Sequence, residues 1–255
     1  MENIIELLPP NVANKIAAGE VVDRPVSVVK ELLENSLDAD SDSIIVEIKN
    51  GGKALIRVTD NGSGIRKEYM KTAFLRHATS KIKDIQDLDS ISTLGFRGEA
   101  LASIAAVSKV ELTSRSRSED VGFTVTYHGS NLINEEPFGC PYGTTVVVKD
   151  LFYNTPARLK FLKRDNTESA LVTDLVSKIS IAYPNVKMRL INNGKILFST
   201  TGRGDIFNNI LSVFDPDSGK NLIKFYSESE GIKLTGFVSP PDENRKNRKG
   251  QIFFV

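Results

Sequence analysis

Apolar and polar positions alternate along this chain with two periods, and each change of period marks an element. Across residues 25–39, Val26, Val29, Leu32, Leu33 and Leu37 recur at helical spacing, while Glu31, Asn35 and Asp38 share a second stripe with Glu34 at its edge. Pro25 suits the first helical position, where a missing N–H leaves nothing unpaired. One side of this helix packs a core, and the other offers carboxylates and an amide. Residues 44–48 and 55–58 read as two strands joined by the turn Asn50-Gly51-Gly52. The second strand runs directly into Asp60-Asn61-Gly62-Ser63-Gly64.

Residues 3–8 form an apolar run, read as an edge strand or a docking arm, ahead of Pro9-Pro10. A short helix follows over residues 12–18, with Asn11 as its N-cap and Gly19 as its C′ residue. A further helix is expected over residues 67–76 and another over residues 102–107. Residues 110–114, 123–128, 132–134 and 144–149 read as strands of an antiparallel meander. A long helix over residues 167–182 leads to a strand pair, 186–191 and 195–199, turning at Asn192-Asn193-Gly194. A boundary is placed near residues 200–204. Beyond it come a helix (205–213), strands at 222–226 and 232–238, and a terminal apolar run at 252–255. That run reads as the start of a core strand, so the expectation is a domain over residues 1–203 and the first part of a second over residues 204–255.

Composition narrows the class. The 255 residues are 40% hydrophobic and 25% charged, enough for one large domain or two smaller ones. Lys+Arg 33 against Asp+Glu 32 gives a net charge of +1, so only a local patch would attract nucleic acid. The single cysteine, Cys140, excludes an internal disulfide and a cysteine-only metal cage. Met1-Glu2-Asn3 carries no basic n-region and no long apolar run occurs, so a reducing, cytoplasmic setting without a membrane is expected.

Four segments carry candidate chemistry. The stripe of Glu31, Asn35 and Asp38, taken alone, describes the solvated side of an amphipathic helix. The D-x-G-x-G at the following strand end changes the balance. Gly62 and Gly64 supply positive φ or close backbone approach, more than a simple reversal around Asp60 requires. His77-Ala78-Thr79-Ser80-Lys81 offers hydroxyls and an ammonium, which suit an anion or a polar loop equally. Leu94-Gly95-Phe96-Arg97-Gly98-Glu99-Ala100-Leu101 places glycines ahead of a helix start, where unpaired N–H groups suit a phosphate. No G-K-[ST] closes it and no strand–G-x-G-x-x-G–helix unit contains it. It fits a phosphate lid with two glycine hinges, or a helix that merely begins at glycine. Thr144 and Thr145 open a strand, as ligand hydroxyls or as β-branched strand residues. Arg245, Lys246, Arg248 and Lys249 lie within five residues, as a DNA-phosphate patch or a solvated loop.

The motifs together resemble the N-terminal region of MutL-type DNA mismatch repair proteins. The resemblance rests on Pro9-Pro10, on Ile16-Ala17-Ala18-Gly19-Glu20-Val21-Val22, and on the segment from Glu31 to Asp38. It also rests on residues 76–81, 95–101 and 151–158. That family belongs to an ATPase superfamily shared with gyrase, histidine kinases and a heat-shock chaperone. The resemblance implies an α+β fold: a two-layer sandwich with a mixed, mostly antiparallel sheet covered by helices, followed by the start of a transducer-like second α/β domain.

It also implies roles. Glu31 matches the general base that activates water, and Asn35 matches the Mg²⁺ ligand. Asp60 matches the acceptor of the adenine amino proton, Gly62 and Gly64 make room for the base, and Thr144 completes its recognition. Leu94, Gly95, Phe96, Arg97, Gly98, Ala100 and Leu101 match the lid over the phosphates. Asp38, Thr79 and Lys81 join them as further nucleotide contacts. The family's phosphate-reaching second-domain lysine is expected beyond Val255. ATP and Mg²⁺ are the implied cofactors. Implied partners are a second copy on ATP binding, DNA, a MutS-type mismatch-recognition protein and downstream repair enzymes, on a bacterial nucleoid.

Rival readings are a type II topoisomerase ATPase module, a histidine kinase, and a scaffold with a purely structural ATP site. A kinase needs a phosphoacceptor histidine in an upstream helical pair, for which Glu31 sits too near the N-terminus. Ala17–22 and residues 151–158 favour MutL over the topoisomerases, and intact Glu31 speaks against a scaffold.

Overall fold

Period-two burial along the strands builds one large sheet in the computed structural model, which describes residues 9–81, 94–95, 98–214, 219, 221–243 and 250–254. Its eight strands are β1 (Ser43–Lys49), β2 (Leu55–Asp60), β3 (Lys109–Arg115), β4 (Gly122–His128), β5 (Asn131–Phe138), β6 (Gly143–Lys149), β7 (Lys187–Asn192) and β8 (Lys195–Ser199). They lie in the order β5-β4-β3-β6-β2-β1-β7-β8. Only β1 and β7 run parallel; the other six pairings are antiparallel.

The helices are α1 (Pro10–Val21), α2 (Pro25–Asp38), α3 (Lys67–Met70), α4 (Ala100–Ala106), α5 (Pro156–Phe161), α6 (Asp165–Ala182) and α7 (Ile206–Val213). One face of the sheet is covered, and there Ile44, Val46, Ile56, Val58, Leu112, Val146, Val148 and Leu190 join Val28, Val29, Leu32 and Leu33 of α2 and Val172 and Val176 of α6 in one core. The alternate residues make the other face polar. Thr59, Thr145, Thr113 and Thr124 stand in register across β2, β6, β3 and β4, linked in pairs through their hydroxyls. An antiparallel sheet tolerates this, because a polar face can remain wet.

Several expectations need correction. The meander ends at β5: β6 returns across the sheet and inserts between β3 and β2. This places Thr144 beside Asp60. The first helix is not capped by Asn11 and does not stop at Gly19; it runs from Pro10 to Val21. Gly19 serves packing instead, since a Cβ there would lie 2.1 Å from Nη2 of Arg158. The helix expected over residues 67–76 is a single turn, α3, followed by a 3-10 turn at Thr72–Phe74. α5 was not anticipated; the run before it, with Phe152 at φ 66° and fully buried, masks it from any periodic pattern. Beyond α7, β9 (Ile223–Ser229) and β10 (Ile232–Val238) form a separate two-stranded sheet. Residues 251–254 are not strand. The expected arm at residues 3–8, Phe96, Arg97, and the basic residues Arg245, Lys246, Arg248 and Lys249 lie outside the described residues.

Candidate functional site

Three strands meet at one end of the covered face, and their register sets a row of polar side chains. Asp60 of β2 pairs with Thr144 of β6, which pairs with Ser114 of β3. Asp60 and Ser114 follow, and Thr144 precedes, an apolar core position of its strand by two residues, so all three face the helices.

Asp60 is buried, with 9% of its surface exposed. Its Oδ1 accepts from the backbone N–H of Gly62 at 2.9 Å and of Thr144 at 3.2 Å. Its Oδ2 accepts from the Ser36 hydroxyl at 2.9 Å. A carboxylate has about four acceptor positions, and the Ser41 hydroxyl acts on this one as well. Burial pushes the carboxyl above its ordinary range, and the hydrogen bonds from Gly62, Ser36, Thr144 and Ser41 only partly offset this.

The glycines here are required by close approach. A Cβ on Gly62 would come within 2.6 Å of Ala39 O, at the end of α2. Gly64 has φ 70°, and a Cβ would sit 2.2 Å from Arg115 O. The D-x-G-x-G loop is thus wedged between the α2 terminus and the end of β3. Asn61 holds the loop by accepting from the N–H groups of Asp42 and Ser43 at 3.1 and 2.9 Å.

The second cluster lies on the polar stripe of α2. Lys81 Nζ donates to Asn35 Oδ1 at 3.1 Å and to Asp38 Oδ2 at 2.5 Å. The Asp38 carboxylate also accepts from the backbone N–H of Leu94 at 3.0 Å and of Gly95 at 3.2 Å. Asp38 joins the helix, the Lys81 loop and the glycine segment. Burial alone would raise its pKa; the Lys81 ammonium and the two N–H groups outweigh burial and hold it below the ordinary carboxylate value. Thr79 Oγ1 accepts from the Lys81 N–H at 3.1 Å, shaping that loop. Gly98 has φ 62° and passes so near Ala78 that a Cβ would lie 2.6 Å from its carbonyl oxygen.

Glu31 stands one turn before Asn35, its side chain 28% exposed beside Lys30. The two clusters are adjacent, because Ser36, which holds Asp60, follows Asn35 directly in α2. The structure thus brings together Asn35, Asp38, Lys81, Leu94 and Gly95 in one group and Asp60, Gly62 and Thr144 in another. Ala100 and Leu101 open α4. His77 is exposed and pairs with Glu99 at 3.2 Å, away from both groups. Sequence reasoning missed Ser36 and Ser114. Ser36 is a buried polar residue within the apolar stripe of α2, a break in pattern that marks a buried hydrogen bond. Ser114 sits at a core position of β3 and gave the same signal.

This arrangement matches proteins of known kind. Residues 24–138 match the family described as histidine kinase-, DNA gyrase B-, and HSP90-like ATPase. The chain is 49% identical over 251 residues to the DNA mismatch repair protein MutL of Halothermothrix orenii and 48% identical to that of Desulforamulus reducens. Each alignment covers 98% of this chain and 39% of the relative, so the chain spans about two fifths of their length. Among solved structures, the Aquifex aeolicus MutL ATPase domain complexed with ADP is 34% identical with a TM-score of 0.70, covering 89% of this chain and 80% of that one. An N-terminal domain of a DNA repair protein gives a TM-score of 0.78 at 25% identity, covering 93% of this chain and 74% of that one. The family match and the fold define an ATPase of the gyrase and histidine-kinase type. Within that class, the chain belongs to the MutL family of DNA mismatch repair proteins, as their ATPase domain.

Proposed function

We propose that this chain binds ATP with its base against Asp60 and its phosphates over the polar stripe of α2, and hydrolyses it as the switch of a mismatch repair protein. The observation that carries the reading is the buried Asp60 carboxylate, fixed in place by the Gly62, Thr144 and Ser36 donors. It sits at the α2 turn that bears Asn35 and Asp38. An adenine amino group is a further donor to this carboxylate, and a carbonyl in its place sets two acceptors face to face, which selects ATP over GTP. The ADP in the A. aeolicus relative supports the same ligand class.

The remaining roles follow from chemistry. Phosphoryl transfer to water needs a positioned nucleophile and charge stabilisation more than covalent help. Glu31 is the base that takes the proton of the attacking water. Lys81 and the N–H groups of Leu94 and Gly95 reach the phosphates from the lid side, with Thr79 shaping the Lys81 loop. Asn35 would hold Mg²⁺: its amide oxygen already seats a cationic group, Lys81 Nζ. No cluster of three or more His, Cys, Asp or Glu exists among the described residues to hold a metal by protein alone. That donor set fits an ion that keeps oxygen ligands from phosphate and water. When bound, Mg²⁺ neutralises phosphate charge.

At the level of the whole protein, the proposal is an ATP-switched homodimer that binds DNA and couples a MutS-type mismatch-recognition protein to downstream repair enzymes. Exposed Ile16 on α1 and Leu159 and Phe161 on α5 support self-association through that side. Residues 204–255 are assigned to a second, transducer domain. Its two-stranded sheet leaves Ile223, Tyr226, Ile232 and Leu234 exposed, as expected of a part of a larger unit. Among the described residues no helix is long and apolar enough to cross a membrane. The deciding experiment is calorimetric titration with ATP, ADP and GTP, with and without Mg²⁺. Equal affinity for ATP and GTP would remove the base-site assignment.

A further inference from the structure

Ser114 is buried, with 1% exposure, and its hydroxyl has three short contacts. It accepts from the Ile65 N–H at 2.8 Å, donates to the Gly143 carbonyl at 2.8 Å, and lies 2.9 Å from Thr144 Oγ1. A serine hydroxyl has one proton and two acceptor positions. The Ile65 N–H takes one acceptor position. If Ser114 gave its proton to Thr144, the Gly143 oxygen would face a Ser114 lone pair at 2.8 Å. Only one assignment makes all three contacts hydrogen bonds: Ser114 donates to Gly143 O, and Thr144 donates to Ser114. The Thr144 N–H is already committed to Asp60 Oδ1. What remains of Thr144 toward the site is therefore lone pairs only.

We infer that Ser114 is a positioning residue that fixes Thr144 as a hydrogen-bond acceptor, making the wall formed by Asp60 and Thr144 acceptor-only and selective for a purine with a 6-amino rather than a 6-oxo group. This rests on the base-site reading above. An amino group brings two hydrogens to such a wall, directly or through one water. Where the C6 substituent meets Asp60 Oδ2 and Thr144 Oγ1, a 6-oxo group sets lone pairs against both; a Thr144 that met N1 instead would favour the N1–H of a 6-oxo purine, and releasing its proton would then widen the preference for the amino base. Sites whose buried polar groups are left unpaired by the wrong ligand discriminate strongly against it. Thr144 carries a proton in any state; without Ser114 it would be free to turn that proton toward a carbonyl. The buried serine in the next strand holds it back.

The experiment compares ATP with inosine triphosphate, which share the ribose and triphosphate and differ at the base edge. Dissociation constants for both are measured by calorimetry on the parent chain, Ser114→Ala, Thr144→Val and the double variant. In Ser114→Ala the preference for ATP should narrow about tenfold, the scale of one hydrogen bond of about 1.4 kcal/mol. Loss of the bonds to Ile65 and Gly143 will lower general stability, but a common loss of fold scales both affinities together and leaves their ratio unchanged. In the Thr144→Val background, removing Ser114 should leave the ratio where it was, because the cycle isolates the coupling between the two side chains. An unchanged or widened ratio in Ser114→Ala overturns the inference, and so does an equal narrowing in both backgrounds. Asp60→Asn separates the two levels of the argument. If it leaves both affinities intact, the base-site reading itself has failed; if it weakens ATP while Ser114→Ala leaves the ratio unmoved, only the present inference has.

Discussion

Replacing Asp60 by Asn separates what the carboxylate does for the fold from what it does for the ligand. The amide is isosteric, and the site can accommodate it. The amide oxygen can keep the Gly62 and Thr144 N–H groups now bound by Oδ1. The NH₂ then stands where Oδ2 accepts from Ser36. Ser36 need not donate to it, because its hydroxyl also reaches the Leu32 carbonyl at 3.0 Å. It can give its proton to Leu32 and accept from the new amide.

The effect on stability has a definite sign. Burial raises the Asp60 pKa above the ordinary carboxylate value. A group whose folded pKa is raised contributes stability that is present below its unfolded pKa and lost as pH rises through the folded pKa. Near neutral pH, ionised Asp60 therefore lowers the stability of the fold, and an Asn there does not. The Tm of Asp60→Asn should equal or exceed that of the parent at about pH 7.5, and the difference should shrink as pH falls toward the carboxylate range near about pH 4. ATP affinity should move the other way. The charged acceptor for the amino group is replaced by a donor, and a hydrogen bond to a charged group contributes about 1.5–3 kcal/mol, or roughly 10- to 150-fold in Kd. Scanning calorimetry at the two pH values and titration with ATP read both quantities. A variant that is less stable at neutral pH, or that binds ATP as the parent does, refutes the reasoning.

Other outcomes follow from the same geometry. Glu31→Ala should retain ATP affinity within a few-fold and lose at least about 10²-fold in turnover, since a base acts mainly in the transition state; single-turnover hydrolysis beside equilibrium binding checks this, and equal loss in both would make Glu31 structural. Gly64→Ala should destabilise by more than about 1 kcal/mol, because φ 70° and the Arg115 carbonyl at 2.2 Å leave no place for a Cβ. Gly19→Ala should cost less Tm than Gly64→Ala despite an equally short contact. The obstructing group there is the end of a side chain, the Arg158 guanidinium, rather than backbone, and alanine improves the helix by about 1 kcal/mol. The docking of Leu94 and Gly95 on Asp38 should weaken under acid. The Asp38 pKa is depressed, so its contribution is present above its unfolded pKa and is lost as pH falls through the folded value. Amide hydrogen exchange at Leu94 and Gly95 would report it, as faster exchange relative to the core at low pH; protection that tracks the core would show that Asp38 does not hold the segment.

The elements that carry the site were legible because their patterns are strong and local. The apolar spacing of Val29, Leu32 and Leu33 dictates the orientation of α2, and orientation alone sends Glu31, Asn35 and Asp38 to one side. Gly62 and Gly64 announced a close approach at the end of β2, although what approaches, Ala39 on one side and Arg115 on the other, is a tertiary fact. What the sequence hides is non-local. The insertion of β6 between β3 and β2 depends on pairings across more than 80 residues, and no local period encodes it. Asn11 and Gly19 look like helix punctuation, yet packing against Arg158 overrides that local preference. Lys81 reads as a loop lysine until the fold sets it 46 positions back in the chain, on Asn35. Ser36 and Ser114 were visible only as exceptions, polar residues in apolar places, and exceptions of that kind acquire meaning once their partners are known.

Under the proposed function, the two ends of the site are held by different physics, and this orders what a ligand can change. At the end assigned to the base every constraint is backbone or buried. Asp60, Thr144 and Ser114 are locked by strand register, and the loop is clamped by glycines with no room to shift. Rigid complementarity there gives specificity, because a wrong base cannot be accommodated by rearrangement. At the phosphate end the constraint is charge. Asp38 and Lys81 neutralise each other, and the glycine segment is attached to that pair through two N–H groups. A polyphosphate competes for the same ammonium and the same N–H donors that Asp38 now holds. It can shift that equilibrium only by its differential affinity for the released arrangement, and a multiply charged anion has such an advantage over a single carboxylate. On the proposed function, recognition of the base and release of the glycine segment are thus built on separate groups joined by one turn of α2, with Ser36 facing the first and Asn35 the second.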